Sequence, residues 1–142
     1  MKKLAPIKRK PRPNPRLVCV GDGKPQQTYY TFNSLPSRYK GDELQASEMA
    51  GDSLTNAGIP RGYMMAIVHG RAVSSGDLVA VKLHDEPDGL TVRYVFFGPG
   101  GWIRLQTADR DEYPDLIYTP GEFEIVGPVV HAEPNLPQLR QD

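Results

Sequence analysis

The chain has 142 residues, enough for one ordinary domain with a single core. Hydrophobic residues make up 39% and charged residues 24%, so most of the chain is expected to fold, while 14 Gly and 14 Pro impose many turns and argue against a helical bundle. The lone cysteine, Cys19, excludes an internal disulfide, no apolar run approaches the roughly 20 residues of a bilayer crossing, and no apolar stretch of a secretory signal follows the first lysines, so the reading is a cytoplasmic protein without membrane association.

The formal net charge of zero conceals an asymmetry. Residues 1–16 carry Lys2, Lys3, Lys8, Arg9, Lys10, Arg12 and Arg16 and no acid, which leaves an excess of acidic groups on the rest of the chain. Pro6, Pro11, Pro13 and Pro15 prevent a regular helix there and favour an extended, polyproline-like arm. Such an arm suits contact with nucleic acid, with an acidic protein partner or with its own acidic body, and equally a solvated leader. Because no aromatic residue interleaves its cations, any DNA contact would read phosphates and be non-specific.

Leu17-Val18-Cys19-Val20 reads as an extended segment closed by the turn Gly21-Asp22-Gly23, and the aromatic and β-branched run Thr28 to Phe32 as a second strand or edge segment. Leu44 to Met49 alternates only loosely, which leaves strand and short helix open, with strand preferred. Clear strands follow over Tyr63 to Val68, Leu78 to Leu83, Leu90 to Phe97, Trp102 to Gln106 and Phe123 to Val130. They are separated by turn signals at Gly70, Ser74 to Asp77, Asp85 to Gly89, Gly98 to Gly101 and Pro120-Gly121. Short strands at this spacing predict a mostly β domain, a sandwich or partly open barrel. From His131 onward, with Pro134 and Pro137, apolar periodicity ends and a surface or disordered tail is expected.

His69, His84 and His131 lie far apart with no second cysteine or spaced carboxylates, so no metal site and no cofactor is expected. Gly51-Asp52-Ser53-Leu54 resembles the nucleophile block of the GDSL lipases and esterases, which need a histidine three residues after an aspartate to take the serine proton. Ala66, Val81 and Pro128 stand three residues before the three histidines, and the chain is too short and too β-rich for that α/β fold.

A longer series covers most of the chain: Met49-Ala50-Gly51-Asp52-Ser53-Leu54, Gly58-Ile59, Gly62 to Val68, Gly76-Asp77-Leu78-Val79-Ala80-Val81, Leu90-Thr91-Val92-Arg93-Tyr94-Val95, Tyr113-Pro114 and Phe123 to Val130. It resembles the peptidase domain of the LexA repressor and UmuD family, whose members cut their own chain with a serine and a lysine. The resemblance implies a LexA/UmuD-like partly open barrel or sandwich, divided here into a basic arm (1–16), a linker with a cleavage-like segment (17–43), the β domain (44–130) and a tail (131–142). It puts Ser53 at the nucleophile position, and the alternative for Ser53 is a turn residue whose hydroxyl caps local backbone.

The family's lysine acts because burial lowers its pKa, but Arg93 occupies that position and a guanidinium stays protonated. Lys82 is the alternative base, expected to point outward, opposite Val79 and Val81. The family's cleavage site, a small residue before glycine some thirty residues ahead of the serine, falls at Val20-Gly21, where Val20 is bulkier than the usual residue. The resemblance also implies a homodimer and, since a short arm replaces a helix-turn-helix domain, a UmuD-like accessory role beside a partner such as a polymerase or regulator. Three functions follow: a non-cleaving regulatory or accessory module, a self-cleaving serine peptidase using Ser53 with an unconventional base, and a nucleic-acid-binding accessory protein acting through the arm.

Overall fold

The structure, a computed structural model, describes residues 15–20 and 25–135. Nine strands form one open sheet: β1 (Pro15–Val20), β2 (Pro25–Tyr29), β3 (Leu44–Glu48), β4 (Tyr63–Val68), β5 (Leu78–Leu83), β6 (Glu86–Phe97), β7 (Ile103–Gln106), β8 (Leu116–Tyr118) and β9 (Phe123–Pro134). Their order across the sheet is β2-β1-β3-β4-β9-β5-β6-β7-β8, and every pairing is antiparallel except that of β1 with β3. The described residues contain three short 3₁₀ turns and no α-helix, so the fold is mostly β, as expected. The sheet curls far enough that β1 also comes against β6.

The continuous apolar run of β4 is explained by burial on both faces. Met64, Ala66 and Val68 enter one cluster with Tyr30, Phe32, Leu35, Leu44 and Ala46, while Met65 and Ile67 enter the central one with Met49, Leu54, Ile59, Leu90, Val92 and Val126. A third cluster joins Val79, Val81 and Leu83 of β5 to Val95, Ile103 and Leu105. Strand β9 connects the two halves. Its first part pairs with β5 and its second, from Val129 to Pro134, with β4. At the crossing a Cβ added to Gly127 would collide with the Val68 carbonyl oxygen, so only glycine lets β9 pass from one partner to the other.

The strand bounds differ from expectation in three places, and one strand was not anticipated. The strand expected over Thr28 to Phe32 is β2, Pro25–Tyr29, so that Tyr30 and Phe32 lie beyond it and cover β3 and β4. The hairpin turn after β5 is His84-Asp85, because Leu83 already pairs with Glu86, and β6 therefore begins inside the stretch read as a turn. The three-residue edge strand β8 is too short to leave a periodic signal. The C-terminal strand continues through His131 to Pro134, and its buried member there is Glu133, a charge that apolar periodicity does not count.

Candidate active-site cleft

Beyond β3 the chain turns sharply through Met49 to Ser53. Met49 is fixed at both ends: its N–H donates to the Tyr63 carbonyl at 2.8 Å, and its carbonyl accepts from the Gly62 N–H at 2.8 Å. The turn then closes on a 3₁₀ segment, Thr55–Ala57, through Thr55 N–H to the Asp52 carbonyl (3.2 Å) and Ala57 N–H to the Leu54 carbonyl (2.9 Å). Leu54 is fully buried and packs with Ile59 in the central cluster. Half-buried Ser53 thus sits between an exposed Asp52 and an apolar anchor. On the outside, Arg61 Nε and Nη2 donate to the two Asp52 carboxylate oxygens at 3.2 and 2.8 Å, and Nη1 donates to the Ala50 carbonyl at 2.9 Å.

Strand β6 supplies the opposite wall. Leu90 and Val92 enter the central cluster, whereas alternation sets Arg93 on the face of Val95. Ser53 and Arg93 nevertheless line one open cleft of about 180 Å³ with Met49, Met65, Glu86 and Leu90 among its walls. That volume is below the several hundred Å³ usual for a small-molecule pocket. Arg93 Nη1 donates to the Pro114 carbonyl at 2.9 Å, which ties β6 to the loop before β8. Burial pulls its guanidinium below the ordinary value, opposed by Tyr118, Asp115 and Glu86 nearby. The same burial, with Asp85 beside it, pushes the Tyr118 phenol up, and its hydroxyl lies 3.4 Å from the Asp85 carboxylate.

Lys82 is half-buried on β5, Cα-paired with Glu124. It does not belong to the cleft lining. Val20 ends β1 and pairs with Glu48 at the end of β3. Because those strands run parallel, the end of β1 comes alongside the strand that leads into Met49 to Ser53. Arg16 pairs with Thr28 within the β1–β2 ladder. Gly21 and the cations Lys2, Lys3, Lys8, Arg9, Lys10 and Arg12 lie outside the described residues.

Sequence reasoning did not single out Arg61, Glu86 or Asp115. Asp115 accepts both Arg110 donors (3.1 and 2.8 Å) and Gln106 Nε2 (3.3 Å), holding the loop that Arg93 reaches. The only sequence signal near it was Tyr113-Pro114 in the family-like series. Comparison with curated proteins returns no match. The family model described as Peptidase S24-like matches residues 18–130, from β1 to within β9, and the chain therefore belongs to the Peptidase S24-like family, to which the LexA and UmuD peptidase domains correspond.

Proposed function

We propose that this domain is a non-cleaving member of its family, a regulatory or accessory module whose cleft engages an extended chain segment without cutting it. The observation that carries this reading is Arg93. It shares the cleft with Ser53, it is a group that stays protonated, and one of its donors is already committed to the Pro114 carbonyl. A serine needs a neutral base within hydrogen-bond reach to become a nucleophile, and a guanidinium is none. A chain of suitable form is the end of β1, where Val20 pairs in parallel with Glu48 of β3, the strand that leads into the Met49 to Ser53 turn. Contacts with a protein partner or with DNA through the basic arm, and pairing of two copies, belong to the same proposal and rest on charge and family resemblance.

Intact mass over days, from pH 6 to 10, tests it. Wild type is expected to stay whole. Arg93→Lys, which supplies an amine that burial can neutralise, is expected to cut slowly after Val20 as pH rises, and Ser53→Ala in that background to abolish cutting. Because Val20 is bulky, Val20→Ala accompanies both. Wild-type cutting that Ser53→Ala abolishes would overturn the proposal, and Lys82→Met would then identify the base.

A further inference from the structure

The segment that carries Ser53 contains Gly51, the residue type with most backbone freedom, and the surroundings do not confine it: a Cβ added there would meet no atom within 4 Å. The turn must be held by other means. Apart from the Thr55 N–H to the Asp52 carbonyl, the hydrogen bonds around it come from one short stretch, Arg61 to Tyr63. Gly62, at φ 92°, turns the chain so that its N–H reaches the Met49 carbonyl, and Tyr63 accepts from the Met49 N–H. Arg61, on the same turn, reaches across Gly51 to the Ala50 carbonyl on one side and the Asp52 carboxylate on the other.

We infer that Arg61 is the positioning residue of the Ser53 turn, a three-point clamp that bridges Gly51 and fixes where residue 53 meets the cleft. The inference rests on the reading that this cleft is the functional site. A planar guanidinium can grip a carboxylate with two donors and a carbonyl with a third, whereas an ammonium cannot reproduce that fork. The clamp does not act by stabilising the domain. Arg61 and Asp52 expose 63% and 53% of their side chains, and ion pairs at such exposure contribute little to global stability. Its effect is local: the order of residues 50–53 relative to the wall formed by β6.

The test uses the full chain carrying Ser53→Cys, with and without Arg61→Ala or Arg61→Lys. Alkylation by iodoacetamide is followed by peptide mass, so that Cys19 in β1 serves as an internal reference. Arg61→Ala is expected to raise the labelling rate at position 53 about tenfold while Cys19 and the thermal midpoint stay nearly constant. Arg61→Lys should restore only part of the protection. Hydrogen exchange in the single variants Arg61→Ala and Asp52→Asn, with Ser53 intact, should show the same loss of protection confined to residues 50–55. Unchanged labelling and exchange, or a parallel rise at Cys19 and across β3 to β5, would overturn the inference. These readouts report the order of the turn and not cutting, so an inert Arg93→Lys variant would bear on the cleavage chemistry alone.

Discussion

Glu133 provides a prediction whose size follows from the structure. It lies on β9 opposite Met64, only 4% exposed, and its carboxylate accepts from Tyr30 Oη (2.9 Å), Asn33 N–H (2.7 Å), Ser34 N–H (3.0 Å) and Ser34 Oγ (3.1 Å). His131 Nε2 stands 2.8 Å away and, against an ionised carboxylate, carries the proton. Burial by itself would raise the Glu133 pKa. The donors from Asn33, His131, Ser34 and Tyr30 together outweigh it and hold the carboxyl down at about 2. A folded value below the unfolded one means that the native state binds fewer protons, so the stabilisation is complete above about pH 4.5 and is lost as pH falls toward 2. The gap between 4.5 and about 2 corresponds to on the order of 3 kcal/mol. Replacing Glu133 by Gln keeps the shape but sets an amide donor against a ring of donors, which should cost about 3 kcal/mol at pH 7. Urea unfolding of wild type and Glu133→Gln at pH 7, 5, 4 and 3 checks both statements. The two curves should converge as pH falls, because only wild type has this carboxylate to lose. A constant gap across that range, or a variant as stable as wild type at pH 7, would refute the reasoning.

Two further changes test the frame that presents the cleft. Gly127→Ala places a methyl against the Val68 carbonyl at the β9 crossing, so the strands must part; a loss of about 3 kcal/mol or more in chemical denaturation is expected, and a loss under about 0.5 kcal/mol would show that the crossing yields. Leu54→Ala empties a fully buried site beneath Ser53 and should cost about 2–5 kcal/mol, with hydrogen-exchange protection falling in residues 54–59 as well as in β4.

The strands were legible where one physical signal dominated. In β7 the buried Ile103 and Leu105 alternate with half-buried Arg104 and Gln106, and in β4 an apolar run marks burial on both faces. Reading failed where polar groups do the packing. Nothing in the pattern His131-Ala132-Glu133-Pro134 announces a strand, because its interior contact is a carboxylate satisfied by residues about a hundred positions earlier. Tyr30 and Phe32 carry strand-forming side chains, yet they leave the sheet because their rings pack edge to face at 4.8 Å over β3 and β4, and a propensity scale cannot see that tertiary contact. For the cleft, Ser53 and Arg93 were found through the ordered family-like series, since each is an unremarkable residue in its local context. Arg61 was not, because a clamp across nine positions of a turn leaves no periodic trace.

The packing also explains how the fold accommodates arginine at position 93. The groups that hold the domain together are the three apolar clusters, the Gly127 crossing and the Glu133 hub. Arg93 belongs to none of them. It lies at the margin of the third cluster, where a long stem can pack beside Val95 while the guanidinium leaves the face to reach Pro114. An ammonium buried at the same place would lose its charge or its solvation, whereas the arginine finds a carbonyl and the field of Asp115 and Glu86. Arginine at this position is thus compatible with a stable domain because it serves as a strut between β6 and the β7–β8 loop. Arg93→Ala should accordingly loosen residues 107–115 in hydrogen exchange while leaving the Met49 to Ser53 turn, which Arg61 holds independently, as protected as before.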